Sequence, residues 1–441
     1  MPADRGKTTQ TRRGCASVGP DPGGERPQPG AARANLSPMP SPDVARRILR
    51  YNAGRDPTRL ELKFRGMRSQ PFTFFRATGH LFYQFHDLLG PVAGAPAVWS
   101  TGDVHLENFG CFKADNRLAY FDLNDFDEAA LGPLTWDLVR LLASALLGAG
   151  GRGGARSERK EVAREILAQY TETLAGGKAR WLERATAEGP IRRLFQQAKR
   201  RTRRALLAER TRPSGKSRRF RIKSGRQLAA PRVEHRAVAA LLERMARHQS
   251  DPGFFRVRDV VRRVAGMASL GVTRYAVLVE GRGSPSNNYL LDLKAALPSV
   301  LAAASPFRQP RWANEAERVV TVQSWVQAVP PALLAPLVLR REPLVLRELQ
   351  PTADRLRAAD WRSTGTEVSH LARAVARVTA WGHLRAAGRH GADGIDRLIG
   401  FGRGRHWQAP VLRAALETAR RTEADWEEFC RSYDAGALGD P

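Results

Sequence analysis

Helical spacing of apolar positions covers most of the chain. Residues 42–90 have this spacing around an aromatic segment at 71–76. Residues 155–250 have it too, and this second region is markedly basic. From about residue 365 the pattern is again helical, with Trp426 and Phe429 on the last helix. The sequence therefore predicts three helical regions, separated by segments of a different kind.

Short apolar runs bounded by turn residues predict strands between the helical regions. The runs lie at residues 97–100, 118–123, 275–279, 289–294, 337–339 and 344–346, and a further run lies near 220–222. Two helices interrupt them, one opening at Gly132-Pro133 and one at 313–328. The first two runs lead directly into acidic loops, so any side chains that carry chemistry there would be held by rigid elements.

This mixture of helices and strands indicates an α+β fold class in five parts. The parts are a disordered basic Pro/Gly-rich tail, a segment that carries the two acidic loops, a basic helical insertion or linker, a β-rich lobe and a C-terminal helical part. We place them at residues 1–40, 41–150, 151–255, 256–350 and 351–441.

Composition narrows the class of protein. The chain has 441 residues, 42% of them apolar, which is enough for two or three domains. It has no run of 18 uncharged apolar residues, so we expect no membrane span. The first 40 residues lack the apolar stretch of a secretory signal. Three widely spaced cysteines (Cys15, Cys111 and Cys430) favour neither a disulfide framework nor a cysteine metal site, which indicates a cytoplasmic protein.

The formal net charge of +28 raises the question of a nucleic-acid partner. The basic residues are mostly arginines spread along a chain that is also rich in Ala, Gly and Pro, as a codon bias would produce. Nucleic-acid binding is therefore not favoured. The densest basic cluster, at 199–204, is interpreted first as a solvated helix face and second as an anion contact.

The most specific pattern joins the loop Gly102–Asn108 to the loop 124–128. Asp103 precedes Asn108 by five positions, and Asp125 follows Asn108 by 17. Phosphotransferases use such a set, in which one Asp orients the attacking hydroxyl and an Asn and a second Asp hold Mg²⁺. Asp103 is therefore the candidate catalytic residue, and Asn108 and Asp125 are the candidate metal ligands. Asp127 and Glu128 could add a second metal contact or bind a basic substrate.

Two other polar residues near these loops are expected to have structural roles. Asp137 is predicted to cap its helix or to brace the catalytic loop, and His105 to act as a hydrogen-bonded brace rather than as a base. Arg76 is interpreted either as a phosphate contact or as a packing residue.

The segments Gly102–Asn108, Asp125–Glu128 and Gly132–Leu138 resemble the catalytic segment of the kinase-like fold in its aminoglycoside phosphotransferase and choline kinase branch. That branch has a Gly-Asp-x-His-x-x-Asn loop. More closely, the chain resembles the bacterial family named domain of unknown function 2252, over roughly residues 42–430 and most strongly at 71–144. The resemblance implies a two-lobed protein-kinase-like fold that uses ATP and Mg²⁺. It leaves the hydroxyl acceptor open.

A nucleotide lobe is expected at residues 266–294. Gly266 and Gly271 would let a hairpin approach the phosphates, and Lys294 would pair with them. Glu315 or Glu317 of the following helix is predicted to hold Lys294. The alternative interpretation is an ordinary hairpin with an exposed lysine.

The order of these parts is reversed relative to ordinary kinases, because the acidic loops precede the lysine-bearing lobe. The sequence therefore predicts a circularly permuted kinase-like arrangement with extra helices. A structure that placed Lys294 far from Asp125 would contradict this hypothesis.

Two classes of function follow from the sequence. The first is an Mg-ATP-dependent phosphotransferase that modifies a small molecule or a protein, with transfer of AMP as a variant. The second is a protein that binds without catalysis, either a nucleotide-sensing pseudokinase or a basic module associated with nucleic acid. The basic cluster at 199–204, the overall charge, and the departures from the family pattern at Ala268 and Ala295 favour the second class.

Overall fold

The computed structural model describes residues 43–85, 94–149, 155–222, 226–351, 354–362 and 365–438. Over these residues the chain forms fourteen α-helices and twelve β-strands, which confirms the α+β class expected from the sequence. The tail predicted at residues 1–40 lies outside the described residues.

The described chain begins with four helices, as the apolar spacing predicts. They are α1 (Val44–Asn52), α2 (Pro57–Arg68), α3 (Pro71–Ala77) and α4 (Gly79–Phe82). The carboxylates of Asp43 and Asp56 cap α1 and α2, each accepting a backbone N–H in the first turn. Phe64 of α2 and Phe74 of α3 pack against Phe429 near the C-terminus.

Two small antiparallel strand pairs carry the acidic loops. The strands are β1 (Ala97–Ser100), β2 (Phe109–Lys113), β3 (Ala119–Leu123) and β4 (Ala130–Pro133), and β1 pairs with β4 while β2 pairs with β3. The sequence predicted β1 and β3 but not their partners. It also placed a helix start at Gly132, whereas helix α5 runs over Leu134–Gly148 because Pro133 is still extended. Buried on all sides, α5 forms the centre of the main core.

The segment predicted as an insertion or linker contributes both to the main core and to a sheet. Its elements are α6 (Arg156–Gly176), α7 (Gly189–Arg200), α8 (Arg203–Arg210), β5 (Thr211–Ser214), β6 (Ser217–Phe220), β7 (Gln227–Ala229) and α9 (Arg232–Ala246). Ile166 and Tyr170 of α6 are fully buried in the main core. Strands β5 and β6 form a hairpin, and β7 is an edge strand of the main sheet.

The main sheet has six antiparallel strands in the order β11-β12-β10-β9-β8-β7. Its further strands are β8 (Val257–Arg263), β9 (Arg274–Val279), β10 (Tyr289–Ala295), β11 (Ala335–Leu339) and β12 (Glu342–Glu348). Two helices lie between β10 and β11 in the chain, α10 (Val300–Ala304) and α11 (Glu315–Val326). β8, β9 and β10 thus form a meander, and the later hairpin returns to place β12 beside β10.

The two faces of this sheet are covered by different elements. On one face Val277 and Leu291 pack against Val238 and Leu242 of α9. On the other face Ala276, Leu278 and Leu290 pack against Leu207 of α8 and Phe220 of β6. Because side chains alternate along a strand, Lys294 shares this second face with Leu290.

Three helices complete the fold: α12 (Thr366–Ala386), α13 (Ile395–Arg403) and α14 (Gln408–Asp434). α12 packs along α6, and Leu371 and Val375 on α12 are fully buried in the main core. Among the residues described, no helix combines the length and the apolar character needed to cross a membrane.

Candidate active site

The turn that presents Asp103 is fixed by a buried carboxylate. β1 ends at Ser100, and the backbone N–H groups of Thr101 and Gly102 donate to the carboxylate of Asp137 at 2.9 and 3.1 Å. Gly102 has φ +75°, and a Cβ at this position would lie 2.4 Å from the carbonyl oxygen of Glu128. Asp137 therefore braces the loop from the first turn of α5, as the sequence predicted.

Asp103 is held by a buried arginine. The Nε atom of Arg140 donates to Oδ1 of Asp103 at 3.0 Å, and the Nη2 atom donates to the same oxygen. The Arg140 side chain is fully buried, with its guanidinium 4.3 Å from the centre of the Phe75 ring. Burial raises the pKa of Asp103 while Arg140 opposes that rise. No role for Arg140 was predicted from the sequence, although it lies one turn after Asp137 on α5.

Asn108 links the two acidic loops. Its amide nitrogen donates to the backbone oxygen of Asp103 at 3.0 Å and to that of Asp125 at 3.3 Å. The amide oxygen is therefore the atom that Asn108 can offer to a cation. His105 accepts the N–H of Glu107 on Nδ1 at 3.1 Å, and burial keeps its pKa well below the ordinary value. A neutral, hydrogen-bonded His105 is the brace that the sequence predicted.

Lys294 of β10 reaches the second acidic loop. Its Nζ atom lies 3.5 Å from Oδ1 of Asp125 and also pairs with Oδ2 of Asp127. Burial raises the pKa of Asp125, but Lys294 and neighbouring arginines outweigh it and hold that pKa below the ordinary value. Burial and the charge of Asp125 raise the pKa of Asp127. The predicted juxtaposition of Lys294 with Asp125 is therefore present in the structure.

The predicted acidic partners of Lys294 are elsewhere. Glu317 accepts the N–H of Ala313 at 2.6 Å at the start of α11, and Glu315 pairs with Arg318 at 2.6 Å. The prediction that one of them holds Lys294 is wrong, because local capping and an i,i+3 pair occupy both carboxylates.

Arg76 also has another partner than the one considered from the sequence. Its guanidinium pairs with the carboxylate of Glu107, which in turn accepts the N–H of Ala358 at 2.6 Å. Arg76 is absent from the described residues that line the acidic cavity. The structure therefore places Arg76 as a link between α3 and the loop Gly102–Asn108.

Glu128 joins the acidic loop to the start of α10. Its Oε2 atom accepts the N–H of Val300 at 2.7 Å, and its Oε1 atom lies 3.4 Å from the hydroxyl of Tyr51. Burial raises the pKa of Glu128 to about 7, and the charges of Asp103 and Asp127 add to that rise. Glu128 is thus a buried acid that titrates near neutral pH.

The glycine-containing segment between β8 and β9 covers this acidic cluster. Gly266 and Gly271 adopt φ +86° and +87°, and a Cβ on Gly271 would lie 2.7 Å from the Cβ of Arg55. Ala268 and Ser269 line the same cavity as the acidic residues. The segment 264–273 therefore lies where the sequence placed a phosphate loop relative to the acidic residues.

Three cations hold this segment by its carbonyl groups, one from the loop between α1 and α2 and two from α2. Arg55 and Lys63 donate to the carbonyl of Ala268 at 2.8 and 3.1 Å, and Arg59 donates to that of Val272 at 3.1 Å. Lys63 is fully buried, which lowers its pKa well below the ordinary value. The sequence analysis missed these residues, although Arg59 and Lys63 are four positions apart and therefore share one face of α2.

A group of buried arginines lies beside Lys294. Asp292, one pleat before Lys294 on β10, pairs with Arg263 at 2.8 Å, with Arg274 and with Arg347. Arg355 lies close enough to influence Asp125, and burial lowers its pKa to about 10. These four arginines and Lys294 outnumber Asp292, Asp125 and Asp127, so this part of the cleft carries an excess of positive charge.

The acidic cavity itself is small. Its lining includes the candidate catalytic and metal residues Asp103, Asp125, Asp127 and Glu128, and its volume is about 40 Å³. That space holds only a few water molecules. Among the described residues no group of three or more His, Cys, Asp or Glu side chains is arranged to hold a metal ion. Two carboxylates with the amide oxygen of Asn108 still suit Mg²⁺, which usually takes one or two carboxylates together with substrate phosphates.

The fold and the site define an α+β protein in which an acidic loop pair meets a lysine-bearing sheet. The chain belongs to the family described as uncharacterized protein conserved in bacteria (DUF2252), whose family model matches residues 55–432. The matched range includes both acidic loops and the whole main sheet. Neither a curated protein nor a solved structure matches the chain.

Proposed function

We propose that the protein is a phosphotransferase that uses Mg-ATP to modify a hydroxyl acceptor. The observation that carries this proposal is the ion-paired contact of Lys294 with Asp125 and Asp127. It joins a cation on the third strand of a meander to the acidic loop that follows Asn108. Kinase-type sites combine a lysine on such a strand with an Asn and an Asp that hold the metal.

The order of the sheet supports a kinase-like, circularly permuted arrangement. Lys294 lies on the last strand of the β8–β9–β10 meander, α11 follows it, and β12 returns to the neighbouring position. Protein kinases likewise place their lysine on the third strand, before a helix. The acidic loops come earlier in the chain here, and the contact of Lys294 with Asp125 is what the permutation hypothesis required.

Each site residue has a role in this proposal. Asn108, Asp125 and Asp127 would hold Mg²⁺, and the bound ion would offset the negative charge of the transferring phosphoryl group. Lys294 and the excess of arginines beside it bind the phosphates. Asp103 accepts the proton of the acceptor hydroxyl. The acceptor oxygen then bonds to the γ-phosphorus as the bond to the β,γ-bridging oxygen breaks and ADP leaves.

Two features of the cleft bear on how a nucleotide would enter. A cavity of about 40 Å³ does not admit a nucleoside triphosphate, so segment 264–273 has to move outward on binding. Leu207 and Phe220 also fill part of the sheet face that bears Lys294. Nucleotide binding therefore requires the closed cleft to open.

The second candidate is a nucleotide-sensing protein without catalysis. The observation that favours it is the double hydrogen bond from Arg140 to Asp103, which occupies the candidate base. Binding of ATP without transfer to any acceptor, or to water, would favour this alternative.

The experiment is a thermal-shift titration with ATP, with and without Mg²⁺. It compares the intact protein with Lys294→Ala, Asp125→Ala and the exposed-lysine control Lys199→Ala. We expect a Mg²⁺-dependent rise in melting temperature that both site variants lose and the control retains. No rise at millimolar ATP, or a rise that Lys294→Ala retains, would contradict the proposal.

A further inference from the structure

A second cavity, distinct from the acidic cavity, lies beside the segment that follows β12. Its walls are formed by the end of β2, the junction of α7 and α8, and residues 348–351. Its volume is about 250 Å³, close to the lower end of the range for small-molecule sites. It shares no described lining residue with the acidic cavity. The pairing of Gly110 with Arg355 lies beside it, because the neighbouring Asp354 lines the cavity.

The charges around this cavity do not cancel. Arg117 pairs with Glu348, and Arg201 pairs with Asp354 at 2.8 Å. Lys113 and Arg203 also line the cavity, and within the described part of the chain neither forms an ion pair with a carboxylate. The cavity therefore carries an excess of two positive charges, which favours an anionic ligand.

Two polar atoms at this cavity have no protein partner. The Nε atom of Arg203 and the Oδ1 atom of Asp354 are buried, and neither forms a hydrogen bond within the described residues. Asp354 is only 5% exposed. Buried polar atoms of this kind are almost always satisfied in folded proteins. Neither atom is exposed to solvent, so a ligand in the cavity would reach them only after the side chains of Arg203 and Asp354 shift. One acceptor for Arg203 and one donor for Asp354 would then satisfy both.

The remaining walls suit a planar or apolar body. Phe112, Leu206 and Leu349 form an apolar surface beside the basic groups. The guanidinium of Arg203 lies 3.7 Å from the centre of the Tyr289 ring, which holds it in a fixed plane. The cavity thus combines a rigid cationic end with an apolar wall, as sites for aromatic phosphates require.

We propose that this cavity binds a small phosphate-bearing molecule with a planar body and a hydroxyl or amino donor, of the nucleoside monophosphate class. Lys113 and Arg203 hold the phosphate, Phe112 and Leu206 contact the planar body, and Asp354 accepts from the donor. This site is separate from the acidic cleft, and the inference does not rest on the proposed phosphotransfer.

The test is isothermal titration calorimetry of the intact protein with AMP as the probe. The variants are Arg203→Gln and Lys113→Gln in the second cavity, Lys294→Ala in the acidic cleft, and Arg204→Ala as the exposed control next to Arg203. We expect AMP to bind the intact protein, Lys294→Ala and Arg204→Ala with affinities within twofold of one another. Arg203→Gln and Lys113→Gln should each weaken binding at least tenfold, with melting temperatures close to that of the intact protein.

Three results would overturn the inference. The first is the absence of AMP binding at an AMP concentration of about 10 mM. The second is binding that Lys294→Ala abolishes and Arg203→Gln retains, which would place AMP in the acidic cleft. The third is loss of AMP binding in both Lys294→Ala and Arg203→Gln, which would mean that the two cavities form one site. Because Mg-ATP binding is measured separately on the intact protein and on Lys294→Ala, failure of this site and failure of the proposed phosphotransferase are distinguishable.

Discussion

The Nζ atom of Lys294 lies 3.5 Å from the Oδ1 atom of Asp125, although the two residues are 169 positions apart in the chain. The same ammonium group pairs with Asp127, so two carboxylates on a single loop share one cation. This contact fastens the acidic loop to the main sheet. It also lowers the pKa of Asp125 and holds the two candidate metal ligands close together before any ligand arrives.

The first prediction concerns this shared ion pair. Lys294→Met removes the cation and leaves Asp125 and Asp127 facing each other, so we expect a loss of about 1–3 kcal/mol in unfolding free energy. This is less than for a fully buried pair, because both carboxylates are about one third exposed. Urea denaturation at pH 7 measures the change.

A double variant separates charge from packing at this contact. Lys294→Met combined with Asp127→Asn should recover part of the loss, since one of the two repelling carboxylates is then neutral. The exposed control Lys199→Met should change the unfolding free energy by less than about 0.5 kcal/mol. Strictly additive losses in the double variant would mean that the contact is not an energetic link.

The second prediction separates binding from transfer at Asp103. Asp103→Asn keeps the shape of the side chain but removes the proton acceptor, so phosphate transfer should fall by at least about 100-fold. The Mg²⁺-dependent thermal shift with ATP should remain, because Asp103 is not proposed as a metal ligand. Equal losses of binding and transfer would remove Asp103 from its proposed role.

Arg140 provides a related test of stability. Arg140→Met leaves Asp103 buried without its partner, and we expect a cost of about 3–5 kcal/mol. Adding Asp103→Asn should restore much of this loss, because a neutral amide at position 103 no longer needs a cation. Arg200→Met, on the exposed side of α7, is the control. If the double variant is as unstable as Arg140→Met alone, packing of the arginine on Phe75 explains its effect.

The sequence predicted much of the site because its signals are local. Asp103 and Asn108 share one loop, and Asp125 follows a recognisable strand, so spacing alone brought them together. The proximity of Lys294 to Asp125 could be predicted only by assuming a known kind of site. The strands β2 and β4 were missed because Gly110 and the Gly132-Pro133 pair weaken the strand pattern there.

The remainder of the site depends on long-range pairing that spacing does not encode. Arg263, Arg274 and Arg347 lie on three different strands and converge only through the register of β8, β9, β10 and β12. The prediction for Glu317 failed for the opposite reason. Its carboxylate accepts the nearby N–H of Ala313, whereas we had expected it to contact the distant Lys294.

The third prediction tests the turn at Gly102. Gly102 has a left-handed backbone conformation that alanine adopts only with strain. In Gly102→Ala the added Cβ would also lie 2.4 Å from the carbonyl oxygen of Glu128, so the backbone has to move. Gly54 has a similar φ of +79°, but a Cβ there meets nothing within 4 Å. Gly54→Ala should therefore cost only the conformational strain, about 1 kcal/mol, and Gly102→Ala clearly more.

Both glycine variants are measured by thermal unfolding and by the response to Mg-ATP. Gly102→Ala should weaken the ATP response, because the turn presents Asp103 and contacts the Glu128 backbone. Gly54→Ala should leave that response unchanged. Equal melting temperatures for the two variants would show that the close approach of Gly102 to Glu128 does not constrain the loop.

The last prediction concerns pH. The pKa of Glu128 is raised by burial to about 7, from an ordinary value of 4.5, so between these values the folded protein binds a proton that the unfolded chain releases. Stability linked to this group is therefore greatest below about pH 4.5 and falls as the pH rises toward 7.

Glu128→Gln mimics the protonated form and should raise the melting temperature at pH 8 while changing it little at pH 5. The exposed control Glu243→Gln should show no such difference. If Glu128→Gln lowers the melting temperature equally at both pH values, the carboxylate is needed in its charged form, and the hydrogen bond from Val300 outweighs burial.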